Sequence, residues 1–144
     1  MLDIFIRYGH FLGIIFLSSA LFAEHLLLAR EIDRQQLKKL VVVDAIFGIS
    51  AGVVLIAGLL LWFYVGKPAE FYSKNFVFHI KLTLFVLMGI LSIFPTMFIL
   101  RQRKSGLEVI SVPAYIINIV RAELLLLVLI PLLAVLMAQG YGLH

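Results

Sequence analysis

The side chains able to do chemistry in this chain are few. There is no cysteine, which excludes thiolate nucleophiles, disulfides, iron–sulfur clusters and thiolate zinc sites together. Of the 4 histidines, His10 and His79 each sit a few residues inside one end of a long apolar run. His25 lies near Arg30, and His144 is the last residue. Neutral imidazole ligates iron, copper and other metals, and in a membrane it also hydrogen-bonds to a neighbouring helix. Two cations accompany these histidines, Arg7 one turn before His10 and Lys81 two residues after His79. A second set comprises Glu24, Asp44, Asn118, Arg121 and Glu123. Glu24 and Asp44 are candidate catalytic, proton-handling groups; with Arg121 they can equally form an ion-pair network that locks helices together. There is no motif for a phosphate-cradling loop, a Ser–His–Asp triad or a metalloprotease helix.

The elements that must position these residues follow from composition. The 144 residues are 63% hydrophobic and 14% charged, with a mean hydropathy of +1.12. Soluble domains average about 45–50% apolar and about 25% charged, and a chain this short cannot hide so much apolar surface. A polytopic membrane protein remains. Four runs reach the roughly 20 residues needed to cross the hydrocarbon layer, at 4–28, 41–65, 76–100 and 115–138. Short connections make neighbours antiparallel, so residues 1–144 form a single all-α transmembrane domain, an integral membrane four-helix bundle. Arg30, Arg34, Lys38 and Lys39 fall in the first connection, Arg101, Arg103 and Lys104 in the third, and only Lys67 and Lys74 in the second. The positive-inside rule then puts connections one and three in the cytoplasm and both termini outside. The basic residues are explained by topology, so the sequence pI of about 9.6 does not point to nucleic acid. Trp62, Phe63, Tyr64, Phe71 and Tyr72 mark an outer aromatic belt, broken by Gly66 and Pro68.

Helical spacing arranges the polar residues further. At 100° per residue, Arg7, His10, Ser18, Glu24 and His25 share about one third of the first helix, a polar stripe facing its partners. His10 and His79 lie at similar depth on different helices, the arrangement that six-coordinate b-type haem requires. Arg7 and Lys81 would then neutralise the propionates or bind an anionic substrate. Lys81 is nevertheless about 200° from His79 around the third helix, so the two cannot point at one spot. Glu123 falls roughly opposite Arg121 by the same rule. Gly48 and Gly52 form a small-xxx-small pair that favours close helix approach over clearance for a flat ligand. Pro95 and Pro131 are expected to bend the third and fourth helices.

The stretches YGHFLGIIFLSSALFAEHLLLAR, DAIFGISAG, SIFPTMFILRQR and RAELLLLVLIPLLAVLMAQGYG resemble a family of small bacterial four-helix membrane proteins over nearly the whole chain. GHFLGIIF with His10, and FHIKLTLFVLM with His79 and Lys81, more distantly resemble the HemJ-type protoporphyrinogen oxidases, with the CopD-type membrane domain in the same broad group. HemJ-type proteins carry an aromatic-Leu-Pro-Arg stretch and a histidine at the end of helix one, where this chain has Glu24 and His25. The resemblance implies a multi-pass protein of the bacterial inner membrane. It also implies haem b ligated by His10 and His79, exchanging electrons with a quinone, porphyrinogen or similar reductant. Two other readings stay open. One is a copper or other metal-handling protein using His10, His79 and Met88. The other is a structural subunit that packs against a larger complex or against further copies of itself in the lipid.

Overall fold

The computed structural model describes residues 2–63 and 76–139. The helices are α1 (Leu2–Leu27), α2 (Arg34–Phe63), α3 (Phe76–Ser105) and α4 (Ala114–Ala138). All four are long and apolar enough to cross a membrane. Many of their large exposed side chains are hydrophobic, among them Ile15, Phe22, Ile49, Ile90 and Val128, as expected of surfaces that face lipid rather than water. α1 packs chiefly on α2 and α3 on α4, and the two pairs meet through α2–α3 and α1–α4.

α2 begins at Arg34, seven residues before the expected span at Val41. The apolar criterion misses these two turns because Arg34, Gln35, Gln36, Lys38 and Lys39 are polar. The turns form nonetheless, because the Asp33 carboxylate accepts the backbone N–H of Gln36 at 2.7 Å and caps the helix start. α3 likewise runs past Leu100 through the basic turn to Ser105 and ends at Gly106, whose φ of 74° suits glycine.

Two short strands, β1 (Glu31–Asp33) and β2 (Val109–Ser111), join the connections α1–α2 and α3–α4 as an antiparallel ladder, with Ile32 opposite Ile110. The hydropathy pattern gives no sign of them. Ile32, Ile110 and Val112 are fully buried and close the end of the bundle. Arg30 and Arg34 complete the clasp. Arg30 donates to the Val112 carbonyl at 3.1 Å. Arg34 donates to the carbonyls of Leu107 at 2.9 Å and Gln102 at 3.1 Å, covering the acceptors that the end of α3 leaves open.

The close approach of α1 to α2 occurs at Gly13, not at Gly48 or Gly52. A Cβ on Gly13 would stand 2.8 Å from Val54 Cγ2, whereas at Gly48 and Gly52 nothing lies within 4 Å. The glycine pair is rotated away from the contact. The expected aromatic belt, Lys67, Lys74 and His144 fall outside the described residues and side chains.

Candidate functional site

The wheel of α1 explains which polar groups enter the bundle. Its buried residues Gly13, Leu17, Ala20, Leu21 and Glu24 centre about 95° from Arg7, on the side of His10 and Glu24. His10 and Glu24 therefore turn inward, and Arg7, at the edge of the stripe, is exposed.

His10 borders a cavity of about 470 Å³. All four helices wall it, with Phe11 and Leu17 from α1, Val54 from α2, Phe85 and Met88 from α3, and Pro131 from α4 among the lining residues. The walls are apolar except for His10 and Lys81. Gly58 faces the imidazole, and a Cβ there would sit 3.5 Å from His10 Cε1. The His10 Nδ1 is buried and makes no well-formed hydrogen bond, only a weak contact with the backbone of Val54.

The structure brings Lys81, not His79, to this cavity. Lys81 lines it, while the His79 side chain is exposed. The sequence fixes the 200° between them; the packing of α3 decides which faces in. His10 and His79 are thus not presented to a common ligand, and Arg7 is not among the lining residues. Of the three donors in the copper reading, His10 and Met88 share the cavity and His79 does not. No group of three or more His, Cys, Asp and Glu side chains among the described residues could hold a metal ion.

A second polar centre lies one to two turns beyond the cavity floor, toward the β ladder. Glu24 is seven residues past Leu17, about 10 Å along α1, and Glu123 is four residues before Leu127, about 6 Å along α4. Glu24 and Glu123 are each 1% exposed and Asp44 is 9% exposed. The Glu24 and Asp44 carboxyls are within hydrogen-bonding reach of each other. Thr96 donates its hydroxyl to Asp44 Oδ1 at 3.0 Å. One oxygen each of Glu24 and Glu123 is buried without a partner. Each helix therefore contributes one polar group to this centre. The expected cation, Arg121, is exposed on the other side of α4, and Glu123 occupies the interior position. The inner cluster is a group of carboxyls with a hydroxyl, not an ion-pair network built on Arg121. Thr96 carried no sequence signal beyond being polar in an apolar run.

A family of predicted membrane proteins, DUF2214, matches residues 2–142. The chain belongs to this family. Neither the curated proteins nor the solved structures yield a match. The HemJ-type and CopD-type likeness is thus unsupported by these comparisons, and the haem and copper expectations rest on the residues themselves.

Proposed function

We propose that this DUF2214 protein is a multi-pass membrane protein that binds a small lipophilic ligand in the cavity among its four helices. His10 and Lys81 are the polar anchors. The observation that carries this reading is the cavity itself: apolar, about 470 Å³, and lined by a buried imidazole whose Nδ1 makes no well-formed hydrogen bond. Ligand pockets of about 300–1,000 Å³ commonly combine apolar walls with a few placed polar groups. A quinone or a porphyrin matches this chemistry. Each has a flat apolar body, with carbonyl or carboxylate oxygens that accept from an ammonium group.

A six-coordinate haem b between His10 and His79 does not fit the side chains as placed, because His10 lines the cavity while His79 is exposed. Binding of a porphyrin through His10 and Lys81 lies within the proposal. In this reading Glu24 and Asp44 handle protons, with Glu123 beside them and Arg121 outside the group. Two carboxyls hydrogen-bond each other only through a proton that one of them carries. In this reading the β ladder is on the cytoplasmic side of a bacterial inner membrane and both termini are outside, which the Lys and Arg distribution supports.

Haemin and a short-chain quinone, titrated separately into the detergent-purified protein, test the reading. At least one should bind with a change in absorption or tryptophan emission. His10→Ala and Lys81→Met should each weaken it about 10- to 100-fold, the effect of losing one hydrogen bond to a charged or desolvated group. His79→Ala should bind as the parent does. If neither probe binds, or if both cavity variants bind normally, the proposal fails. A low-spin haem spectrum abolished equally by His10→Ala and His79→Ala would restore the two-histidine arrangement.

A further inference from the structure

A second cavity, of about 500 Å³, opens between the start of α2 and the end of α3. It is lined by Arg34, Lys38 and Arg103 with Leu37 and Val41. Three cations converge there, and no carboxylate is among the lining residues. Arg34 is already committed, since its guanidinium donates to the Leu107, Gln102 and Arg103 carbonyls and to Ser105 Oγ. It forms a fixed wall. Lys38 and Arg103 are exposed on α2 and α3, on either side of the groove. Below them Leu37 and Val41 make an apolar floor, and the adjoining side chains Val42 and Leu100 are exposed apolar groups on the lipid-facing surface. The groove thus changes from cationic to apolar where the bundle passes from headgroup to hydrocarbon.

We propose that this groove is a binding site for an anionic phospholipid. Lys38 and Arg103 pair with its phosphate, and Val41 with the exposed Val42 and Leu100 seats the first part of an acyl chain. Basic pockets between transmembrane helices recognise anionic headgroups in this way. The apolar surface of Val41, Val42 and Leu100 favours a lipid over a free phosphate ion, which would gain nothing from it. The proposal is independent of the ligand cavity near His10.

Surface charge alone also attracts anionic lipid, so the test separates a site from a diffuse field. The full-length protein is equilibrated with mixed micelles of phosphatidylglycerol and phosphatidylcholine, and retained lipid is read by native mass spectrometry. The variant K38Q/R103Q is compared with K39Q/R101Q. Both remove two positive charges from the same end of the bundle, but Lys39 and Arg101 do not line the groove. The parent should retain phosphatidylglycerol preferentially. K38Q/R103Q should reduce that preference roughly tenfold or more, and K39Q/R101Q should leave it within about twofold. Equal loss in both variants, or loss in neither, overturns the site. Displacement of the lipid by inorganic phosphate also overturns it, because the groove would then be a free-anion site. All four substituted residues are exposed, so unchanged unfolding of both variants confirms that binding, not folding, is being read.

Discussion

Three glycine substitutions give this packing its sharpest test. Gly13→Ala places a methyl group 2.8 Å from Val54 Cγ2 and 3.2 Å from Val53 Cγ1. Valine in a helix keeps essentially one χ1 rotamer, so neither side chain can swing aside and the helices must part. Overpacking of this kind costs about 1–3 kcal/mol, and the better helix propensity of alanine returns about 1 kcal/mol, leaving a net loss of up to about 2 kcal/mol. At Gly48 and Gly52 nothing lies within 4 Å of the added methyl group. There only the propensity gain acts, and each substitution should stabilise by about 0.5–1 kcal/mol. At roughly 3 °C per kcal/mol for a chain of this size, Gly13→Ala lowers the midpoint by up to about 6 °C and the other two raise it by about 1.5–3 °C. Thermal unfolding in one detergent, followed by circular dichroism, reads all three. The small-xxx-small motif in the sequence predicts the opposite order. Destabilisation by Gly48→Ala or Gly52→Ala with a silent Gly13→Ala would refute the helix rotations described above.

Other substitutions probe the remaining features by the same measurement. Arg121→Gln should change stability by less than about 0.5 kcal/mol, whereas breaking a buried ion pair would cost about 3–5 kcal/mol. Thr96→Val removes the hydroxyl that Asp44 accepts and should destabilise by about 1–3 kcal/mol; an unchanged midpoint would remove Thr96 from the polar centre. Arg34→Ala uncovers the carbonyls at the end of α3 and should cost about 1.5–3 kcal/mol, with faster amide exchange in the last turn of α3 and around Leu107; unaltered exchange there would contradict the clasp.

What was legible in the sequence follows from the physics of lipid-facing helices. The four spans could be read because insertion depends on total apolar length, which a linear sequence displays directly. Antiparallel pairing followed from the short connections. Rotation about each helix axis could not be read, and most of the differences at the site come from it. A helix apolar on all sides has no hydrophobic face to mark its interior. The 100° rule therefore relates Lys81 to His79, and Glu123 to Arg121, without saying which member of each pair turns inward. The same ignorance favoured Gly48 and Gly52 over Gly13. α1 carries enough polar residues to mark a face, and there the expected inward direction of His10 and Glu24 agrees with the structure, with Arg7 only at its margin. The β ladder escaped notice because three-residue strands between charged residues have no periodicity to detect.

That ladder has a mechanical consequence. It fastens the α1–α2 hairpin to the α3–α4 hairpin at one end, through Ile32, Ile110 and the two arginine side chains. At the opposite end the chain itself joins α2 to α3, so the hairpins are held at both ends, and any tilt about the ladder moves the walls further the farther they lie from it. His10 lies 18 residues from Leu28, about 27 Å along α1, so a 5° rotation about the clip would part the walls there by about 2 Å. The same motion would shift the Glu24 level, only four residues from Leu28, by about 0.5 Å. The ladder thus holds the level of the carboxyls more closely than the level of the cavity.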